Sequence, residues 1–513
     1  METDSRKKTV YMNTLITLVT QIISVLLGFG IRKIFICTLG VNYLGYNSVF
    51  NNILQMLNLA DLGVGVAIMS FLYKPIADND TEKINALMYM YKKVYQVLGI
   101  IVLGFGILIS FFIPIIINDF DGNYFYLRVL FFINLIGIVS TYYLAYKRTL
   151  LIAMQKSYFT NFIDMFIYLG ASVIQIIILY KHPSYILYLL VSVAKNIISN
   201  LILSIKCTKD YKYINDTINI EIINEYKKPV INYVKDVFVS RLGAYVFYST
   251  DNIIISIFKG SLLTGYLSNY TLVTNQVNGI ITQIFSSIQA TLGNYISTEK
   301  SLEKQEDMVK NYLFVNFIIG NFCMINILFL IQPFIKLFLG EGYVLPFSTA
   351  IWLSINLLLT IIIQIPSQLF MIYKLYKYDK LIVSISALLN IAFSITLVKS
   401  MGIDGVLIGT FIASLIYLFS RLAIISKKIY KTNFYDYFFI LLRYFSISAI
   451  DIFITCFLLK WVQSNTITDF IIRILIVLIT SISIPIFLLC MTEEFKYLIK
   501  NFMPIKVKKY FKI

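Results

Sequence analysis

Polar and charged side chains recur at helical spacing along two strongly apolar stretches near the start of the chain. The first stretch, residues 10–38, carries Asn13, Thr17, Gln21, Ser24, Gly28 and Arg32. The second stretch, residues 44–72, carries Asn47, Asn51, Gln55 and Asn58, with Asp61 one step off the row. Steps of three and four residues place each set on one helix face. A polar face on an apolar helix avoids lipid, so we expect it to face a partner helix or a water-filled cavity.

The same arrangement recurs about 220 residues later in the chain. The glycine and tyrosine positions that correspond are Gly40 and Gly260, Gly45 and Gly265, and Tyr46 and Tyr266. The polar positions that correspond are Asn51 and Thr271, Gln55 and Asn275, Asn58 and Asn278, Gln21 and Arg241, and Arg32 and Asn252. A shared offset across several helices predicts two internal repeats in parallel orientation.

Basic side chains inside apolar spans are the first candidates for binding, because charge is costly in a membrane. Arg241 lies about ten residues into its span, or about 15 Å deep at 1.5 Å per residue. It falls on the polar face and is expected to line the cavity, with an ion pair to Asp236 or another local acid as the alternative. Lys195 lies mid-span, although no clear polar row runs along its helix. Arg32, next to Lys33, either belongs to the cavity or extends to the outer interface.

Acidic side chains in the spans are candidates for carrying a coupling ion. Asp61 and Asp164 lie toward the cytoplasmic side, where each could carry that ion, or cap and pair locally. Asp251 lies beside Asn252, the residue of the second repeat that corresponds to Arg32. Asp251 could carry the ion, or it could form a structural ion pair with Arg32. Asp451 lies mid-span in the thirteenth apolar stretch, outside the repeat, and the pattern gives it no role.

Composition places the chain in the class of integral membrane proteins. Of its 513 residues, 58% are hydrophobic and 14% are charged. Because a transmembrane helix needs about 20 apolar residues, we predict an all-α membrane protein with about fourteen spans. The predicted spans are 10–38, 44–72, 94–117, 124–146, 158–180, 184–205, 231–257, 263–295, 311–337, 346–373, 381–398, 404–426, 437–460 and 468–490.

The loop charges predict the orientation of these spans. About thirty basic residues fall in alternate loops and at the termini, against about seven at the other ends, so that side and both termini are expected to be cytoplasmic. The formal net charge of +17 then faces anionic lipid of the inner leaflet and needs no nucleic acid. The expected location is a bacterial plasma (inner) membrane. The predicted organisation is a six-helix lobe at 1–210, a linker at 211–230, a second lobe at 231–431, two extra spans at 432–492 and a basic tail at 493–513.

Several kinds of chemistry lack the residues that they need. The five cysteines contain no CxxC pair, and the single histidine, His182, lies in a predicted outer loop. The sequence contains no Walker-type GxxxxGK[ST] segment. We therefore expect no metal site, no cofactor and no catalytic residue.

The motifs around the first hairpin resemble a known family. They run from Arg32-Lys33-Ile34-Phe35 through Leu39-Gly40, Leu44-Gly45-Tyr46 and Ala60-Asp61-Leu62-Gly63 to Leu72-Tyr73-Lys74-Pro75-Ile76-Ala77, with Asp80 and Lys83-Ile84. This segment resembles the N-terminal signature of the polysaccharide flippases, the Wzx-type oligosaccharide-lipid transporters. Their superfamily also contains the multidrug exporters and the lipid II flippases.

The resemblance implies two six-helix lobes around a V-shaped central cavity that is lined largely by helices 1, 2, 7 and 8. It implies an undecaprenyl-diphosphate-linked oligosaccharide as substrate, moved from the inner to the outer face by alternating access, with a groove for the lipid tail along helices 13 and 14. Arg32 matches an arginine late in helix 1 of the lipid II flippases. The acidic partner that follows it there is Lys33 here, and the helix 2 arginine is replaced by Met56 or Leu57.

The sequence therefore favours a flippase for lipid-linked oligosaccharides over two alternatives. A cation-coupled drug antiporter on the same fold would favour an acidic, aromatic cavity, whereas the deepest charges here are basic. A membrane-embedded glycan polymerase or ligase would favour a large outer loop, and the predicted outer loops are short. The expected partners are the polyprenyl-diphosphate oligosaccharide, membrane lipids, a coupling cation (H⁺ or Na⁺) and the polysaccharide polymerase machinery.

Overall fold

The computed structural model describes residues 20, 23–57, 59–154, 156–215, 219–232, 249–373, 375–462 and 466–502. These residues are almost entirely helical, and none of them forms a strand. The predicted all-α class is therefore confirmed.

The chain packs as two compact units, Met1–Gly265 and Tyr266–Ile513. The helices of the first unit are α1 (23–39), α2 (Val41–Leu57), α3 (Leu59–Ala77), α4 (Thr81–Ser110), α5 (Ile113–Ile116), α6 (Tyr124–Leu144), α7 (Tyr146–Ala153), α8 (Ser157–Lys181), α9 (Tyr185–Asp210), α10 (220–232) and α11 (Asp251–Lys259). A 3₁₀ turn at Lys212–Asn215 follows α9. The predicted lobe boundaries, with their linker at 211–230, stay a prediction.

One long helix, α12 (Ser261–Thr298), begins at the end of the first unit and continues into the second. The remaining helices are α13 (Leu302–Leu339), α14 (Phe347–Ile362), α15 (Gln364–Ile372), α16 (Tyr376–Met401), α17 (Ile403–Ile424), α18 (Phe434–Leu459), α19 (Ile467–Leu489) and α20 (Glu493–Phe502). A 3₁₀ turn at Glu341–Tyr343 precedes α14, and a π-helical turn at Ile425–Tyr430 continues α17.

Ten helical stretches in the described part of the chain are long and apolar enough to cross a membrane. Each of them coincides with a predicted span, and the chain is a multi-pass membrane protein. Two helices begin earlier than predicted, α4 at Thr81 and α13 at Leu302. Their first turns carry charged residues that are too polar for the membrane. These residues still form helical hydrogen bonds, so each helix begins before its apolar part.

The four other predicted spans, 10–38, 44–72, 231–257 and 263–295, are those that carry the polar rows. Of these, 263–295 lies wholly within α12, which has 38 residues and is therefore long enough to cross a membrane. Its polar row keeps it outside the ten strongly apolar stretches. The other three spans include residues outside the described part of the chain, so the number fourteen stays a prediction.

The turn between α3 and α4 shows how loop residues begin a helix. The Asp80 carboxylate accepts a hydrogen bond from the backbone N–H of Lys83 at 3.0 Å and contacts the Lys83 ammonium at 2.8 Å. The side-chain hydrogen bond from Lys83 lowers the pKa of Asp80. Asp80 therefore caps α4, which gives a structural reason for this pair in the family-like motif.

Two glycines that share the predicted repeat offset adopt the same unusual backbone. Gly40 has a φ of 90° and Gly260 a φ of 89°. Gly40 joins α1 to α2, and Gly260 joins α11 to α12. Glycine reaches positive φ without the steric cost that a Cβ brings, and this agreement supports the repeat.

The helices that follow these turns approach each other backbone to backbone. A Cβ on Gly45 would collide with the carbonyl oxygen of Ser261, and a Cβ on Gly265 would collide with that of Val41. Val41 and Ser261 share the same offset as the two glycines. The contact is therefore reciprocal, as in an interface around a twofold axis.

The start of α12 is capped by a side chain from the loop that follows α5. The Asp119 carboxylate accepts hydrogen bonds from the Ser261 backbone N–H at 2.6 Å and the Ser261 hydroxyl at 2.7 Å. Nearby, the Asn118 amide donates to the Ile257 carbonyl at 3.1 Å. A carboxylate at this end of a helix satisfies open N–H groups and interacts well with the helix dipole.

We expect Asp119→Ala to lower the free energy of unfolding by about 1 kcal/mol, because the first turn of α12 loses its cap. Thermal unfolding of the purified protein in detergent measures the change. Asp121→Ala is the matched control, since Asp121 is an exposed acid in the same loop. Equal unfolding temperatures for the two variants would show that the Asp119 cap does not contribute.

Candidate functional site

The described part of the first polar row, on α1, faces α8 and α9. The Tyr168 hydroxyl lies 3.5 Å from the Ser24 carbonyl oxygen, and a Cβ on Gly28 would lie 3.9 Å from the same hydroxyl. Arg32, one turn further along α1, is half-buried and interacts electrostatically with Tyr188. These contacts agree with the expectation that this polar face points to partner helices.

A continuous row of polar side chains runs between α8 and α9, and we call it the polar seam. Its members are Asp164, Tyr168, Ser172 and Gln175 on α8, and Tyr188, Ser192, Lys195 and Ser199 on α9. Near one end the Gln175 amide donates to the Ser192 hydroxyl at 2.8 Å. Near the other end the Ser199 hydroxyl donates to Asp164. The Lys195 ammonium lies 5.4 Å from the centroid of the Tyr168 ring, between these two contacts.

The sequence produces the seam by helical spacing on both helices. Steps of three and four residues separate its members along α8 and along α9, so each set lies on one face. The row on α9 is not evident in the sequence, because Tyr188 and the two serines are weakly polar side chains in an otherwise apolar helix. Counting hydroxyl-bearing residues at helical spacing would have found it.

Asp164 is engaged by a local basic partner. Both terminal nitrogens of Arg148, on α7, donate to its two carboxylate oxygens in a fork. The two side chains are 30% and 32% exposed, so water still reaches the pair. Lys195 also interacts electrostatically with Asp164. This is the local pairing that the sequence left open for Asp164, and its role in carrying an ion stays a prediction.

The described part of the second polar row lies on one face of α2. Asn51 and Gln55 are exposed, and Asn47 is half-buried. Val49 and Ile53 lie on the opposite face and are buried. The α2 row is therefore not covered by other side chains, and its place on a cavity stays a prediction.

The corresponding residues of the second copy also share a face, on α12. Asn275 is exposed, whereas Thr271 and Asn278 are half-buried. The Thr271 hydroxyl donates to the Ser268 carbonyl at 3.3 Å. On α11, Asp251 and Asn252 are half-buried in the first turn.

Three of the predicted site residues, Gln21, Asn58 and Arg241, lie outside the described residues. Asp61 lies in α3, but its side-chain surroundings are also outside the description. The roles proposed for these four residues stay predictions.

Of the predicted site residues, Arg32 interacts with Tyr188 in one part of the polar seam, and Lys195 lies near Tyr168 and Asp164 in another. Two of the three are basic, and they are surrounded by hydroxyl and amide groups. Within the described residues, no group of three or more His, Cys, Asp or Glu side chains could hold a metal ion. The arrangement suits an anion, bound by arginine and lysine, with hydroxyl groups beside it.

Comparison with known proteins gives structural similarity only. No family model and no curated protein matches the sequence. The lipid II flippase MurJ in an inward closed conformation matches with a TM-score of 0.68 and 16% identity over 94% of this chain and 99% of that chain. A multidrug resistance MATE family transporter of the MOP superfamily, in its inward-facing conformation, matches with a TM-score of 0.61 and 15% identity over 80% of this chain and 98% of that chain. The chain has the fold of the MOP-superfamily transporters.

Proposed function

We propose that this protein is a flippase that moves a polyprenyl-diphosphate-linked oligosaccharide from the inner to the outer leaflet. The observation that carries the proposal is the polar seam, where Lys195 lies within the apolar body of the first unit and Arg32 lies next to Tyr188. Charged side chains within membrane spans are candidates for substrate binding by default. A diphosphate is the anion that this substrate class supplies.

The chemistry of the seam matches both polar parts of such a substrate. Arginine donates to two phosphate oxygens at once, and lysine adds a compact positive charge. The hydroxyl groups of Tyr168, Tyr188 and Ser192 can exchange hydrogen bonds with sugar hydroxyls. The exposed amides of Asn51 and Gln55 extend the same chemistry along α2.

The remaining parts of the proposed function rest on the sequence. The protein lies in the bacterial plasma membrane with both termini cytoplasmic and works by alternating access. Arg241 joins Arg32 and Lys195 on the diphosphate, and H⁺ or Na⁺ drives the cycle through Asp61, Asp164 or Asp251. The product is passed to the machinery that polymerises surface polysaccharide.

A cation-coupled drug antiporter is the second candidate, because the MATE transporters share the fold. The charges of the polar seam distinguish the flippase from the antiporter. A site for organic cations needs an excess of acidic side chains, whereas the polar seam contains one acid, Asp164, and this acid pairs with Arg148. The basic groups of the seam favour the anionic substrate.

A binding experiment tests the proposal. Thermal unfolding of the purified protein is followed with a short polyprenyl-diphosphate oligosaccharide, with the neutral polyprenol of the same length, and with an organic cation. We expect stabilisation by the diphosphate lipid alone, since only a ligand that binds the folded state raises its stability. Equal shifts with the diphosphate lipid and the neutral polyprenol would contradict a diphosphate site.

A further inference from the structure

Asp451 lies at the centre of a polar cluster that is buried between α13, α18 and α19. The side chains of Asp451, Asn321 and Thr455 are 0% exposed, and Thr480 is 4% exposed. Asp451 lies eight residues before the last residue of α18, which is about 12 Å from the helix end. An acid at this depth has no part in the polar seam and needs a separate explanation.

The amide of Asn321 fixes one side of the carboxyl group. Its Nδ2 donates to Asp451 Oδ2 at 2.8 Å, and its Oδ1 accepts from the Ser448 hydroxyl at 2.7 Å. The amide is therefore oriented by a second hydrogen bond. Its nitrogen, a donor, is the group presented to Asp451.

A chain of hydroxyl groups leads away from the other carboxyl oxygen. Asp451 Oδ1 lies 3.2 Å from the Thr455 hydroxyl, which lies 2.8 Å from the Thr480 hydroxyl. The Thr480 hydroxyl lies 3.2 Å from the Val477 carbonyl oxygen. Thr455 belongs to α18 and Thr480 to α19, so this chain joins the two helices.

Each threonine hydroxyl has one proton, so the chain has two self-consistent orders. In the first, Asp451 carries a proton and donates to Thr455, which donates to Thr480, which donates to Val477. In the second, Asp451 is ionised, and Thr480 donates to Thr455, which donates to Asp451. The two orders differ by one proton and by the rotation of two hydroxyl groups.

Burial without a basic partner selects the first order. Among the described residues, no ion pair includes Asp451. An unpaired carboxylate in an apolar interior is strongly disfavoured, whereas the neutral acid keeps all the hydrogen bonds described above.

The titratable groups on the helices packed against α18 lie away from Asp451. The charged ones are Glu303, Lys304, Glu306, Asp307, Lys310 and Lys336 on α13, Asp404 and Arg421 on α17, and Asp469 and Arg473 on α19. Arg421 pairs with Asp379, and Arg473 donates to the Val462 carbonyl at 2.9 Å. Cys323 is two residues from Asn321, so its side chain points about 200° away from that of Asn321 around the axis of α13. On α18 itself, the Tyr444 ring stacks on Phe317.

We propose that Asp451 is a proton-binding site that holds the neutral acid at neutral pH and sets the direction of the hydrogen bond between α18 and α19. On release, the O–H bond at Oδ1 breaks, the electron pair stays on the carboxylate, and the proton passes to water. The Thr455 hydroxyl then turns from Thr480 to Asp451, and the Thr480 hydroxyl turns from the Val477 carbonyl to Thr455. The proposal does not depend on which substrate the protein moves.

The donor set identifies the ligand as a proton rather than a metal cation. A bound Na⁺ or Mg²⁺ would need several oxygen ligands around it. Asn321 instead presents its NH₂ group to Asp451, and the hydroxyl oxygens already lie at hydrogen-bond distance from one another. The site has the groups that exchange a proton and lacks the oxygen shell that a metal ion requires.

Infrared difference spectroscopy of the full chain in lipid nanodiscs tests the protonation state, with Asp451→Asn as the matched variant. The amide of asparagine has the shape of the neutral acid and can make the same hydrogen bonds. We expect the wild type to show a carboxylic-acid C=O band at neutral pH that Asp451→Asn lacks, and this band to be lost reversibly in alkaline buffer. Thr455→Val should shift the band, because the acid loses its acceptor.

Two spectroscopic results would overturn the proposal. A wild-type spectrum that differs from Asp451→Asn only by a carboxylate band at neutral pH would show that Asp451 is ionised. A C=O band that persists to the alkaline limit of folding would show that the proton is never released.

Hydrogen–deuterium exchange separates a proton switch from a merely structural cluster. After correction for the intrinsic pH dependence of exchange, we expect the middle of α19 to exchange faster in alkaline buffer in the wild type and not in Asp451→Asn. An identical response in both proteins would show that the protonation of Asp451 does not reset the hydrogen bonds of α19.

Discussion

Lys195→Ala is expected to lower the rate of lipid-linked oligosaccharide movement by about 10- to 100-fold. A hydrogen bond to a charged group contributes about 1.5–3 kcal/mol, and each 1.4 kcal/mol is a factor of about ten. Lys195 lies against the Tyr168 ring in the middle of the polar seam, so its loss removes charge where the diphosphate is proposed to bind. The rate is measured with purified protein in liposomes that carry a fluorescent substrate.

Two further variants make this result specific. Lys195→Arg keeps the charge and should retain most of the activity. Lys181→Ala removes an exposed lysine from the end of α8 and should leave the rate unchanged. If Lys195→Ala inserts normally and moves the substrate at the wild-type rate, Lys195 does not bind the diphosphate.

Gly45→Ala is expected to destabilise the protein by about 2 kcal/mol or more, since overpacking a close contact costs about 1–3 kcal/mol. The new Cβ would collide with the backbone of Ser261, and backbone cannot move aside as a side chain can. Gly265→Ala should have a similar effect, because its Cβ would collide with the backbone of Val41. Thermal unfolding in detergent and the yield of folded protein both report the change.

Gly104→Ala is the matched control within a helix. A Cβ on Gly104 would meet nothing within 4 Å, so this change should stabilise α4 by about 0.5–1 kcal/mol through helix propensity. The two substitutions are chemically identical and should act in opposite directions. An unchanged unfolding temperature in Gly45→Ala would mean that α2 and α12 do not touch at this point.

Much of the fold could be predicted from the sequence because membrane spans depend on local apolar length. Spans such as 124–146 and 468–490 agree closely with α6 (Tyr124–Leu144) and α19 (Ile467–Leu489). The errors fall where helices leave the membrane. The start of α4 at Thr81 was missed because hydropathy does not register a helix that continues into polar surroundings.

The site was harder to predict because its contacts join distant parts of the chain. Helical spacing placed Arg32 on a polar face, and charge within the spans identified Lys195 and Asp164. Spacing alone could not show that Arg148 pairs with Asp164, because that ion pair depends on how α7 packs against α8. It also could not give Asp451 its partners, which lie on α13 and α19.

The most direct test of the proposed function compares two cargoes in one preparation of liposomes that contain the purified wild-type protein. One cargo is a fluorescent polyprenyl-diphosphate oligosaccharide and the other is a fluorescent organic cation, each followed from one leaflet or compartment to the other. We predict protein-dependent movement of the diphosphate lipid and none of the cation beyond empty liposomes. Movement of the cation with no movement of the lipid would contradict the flippase and assign the protein to the drug antiporters.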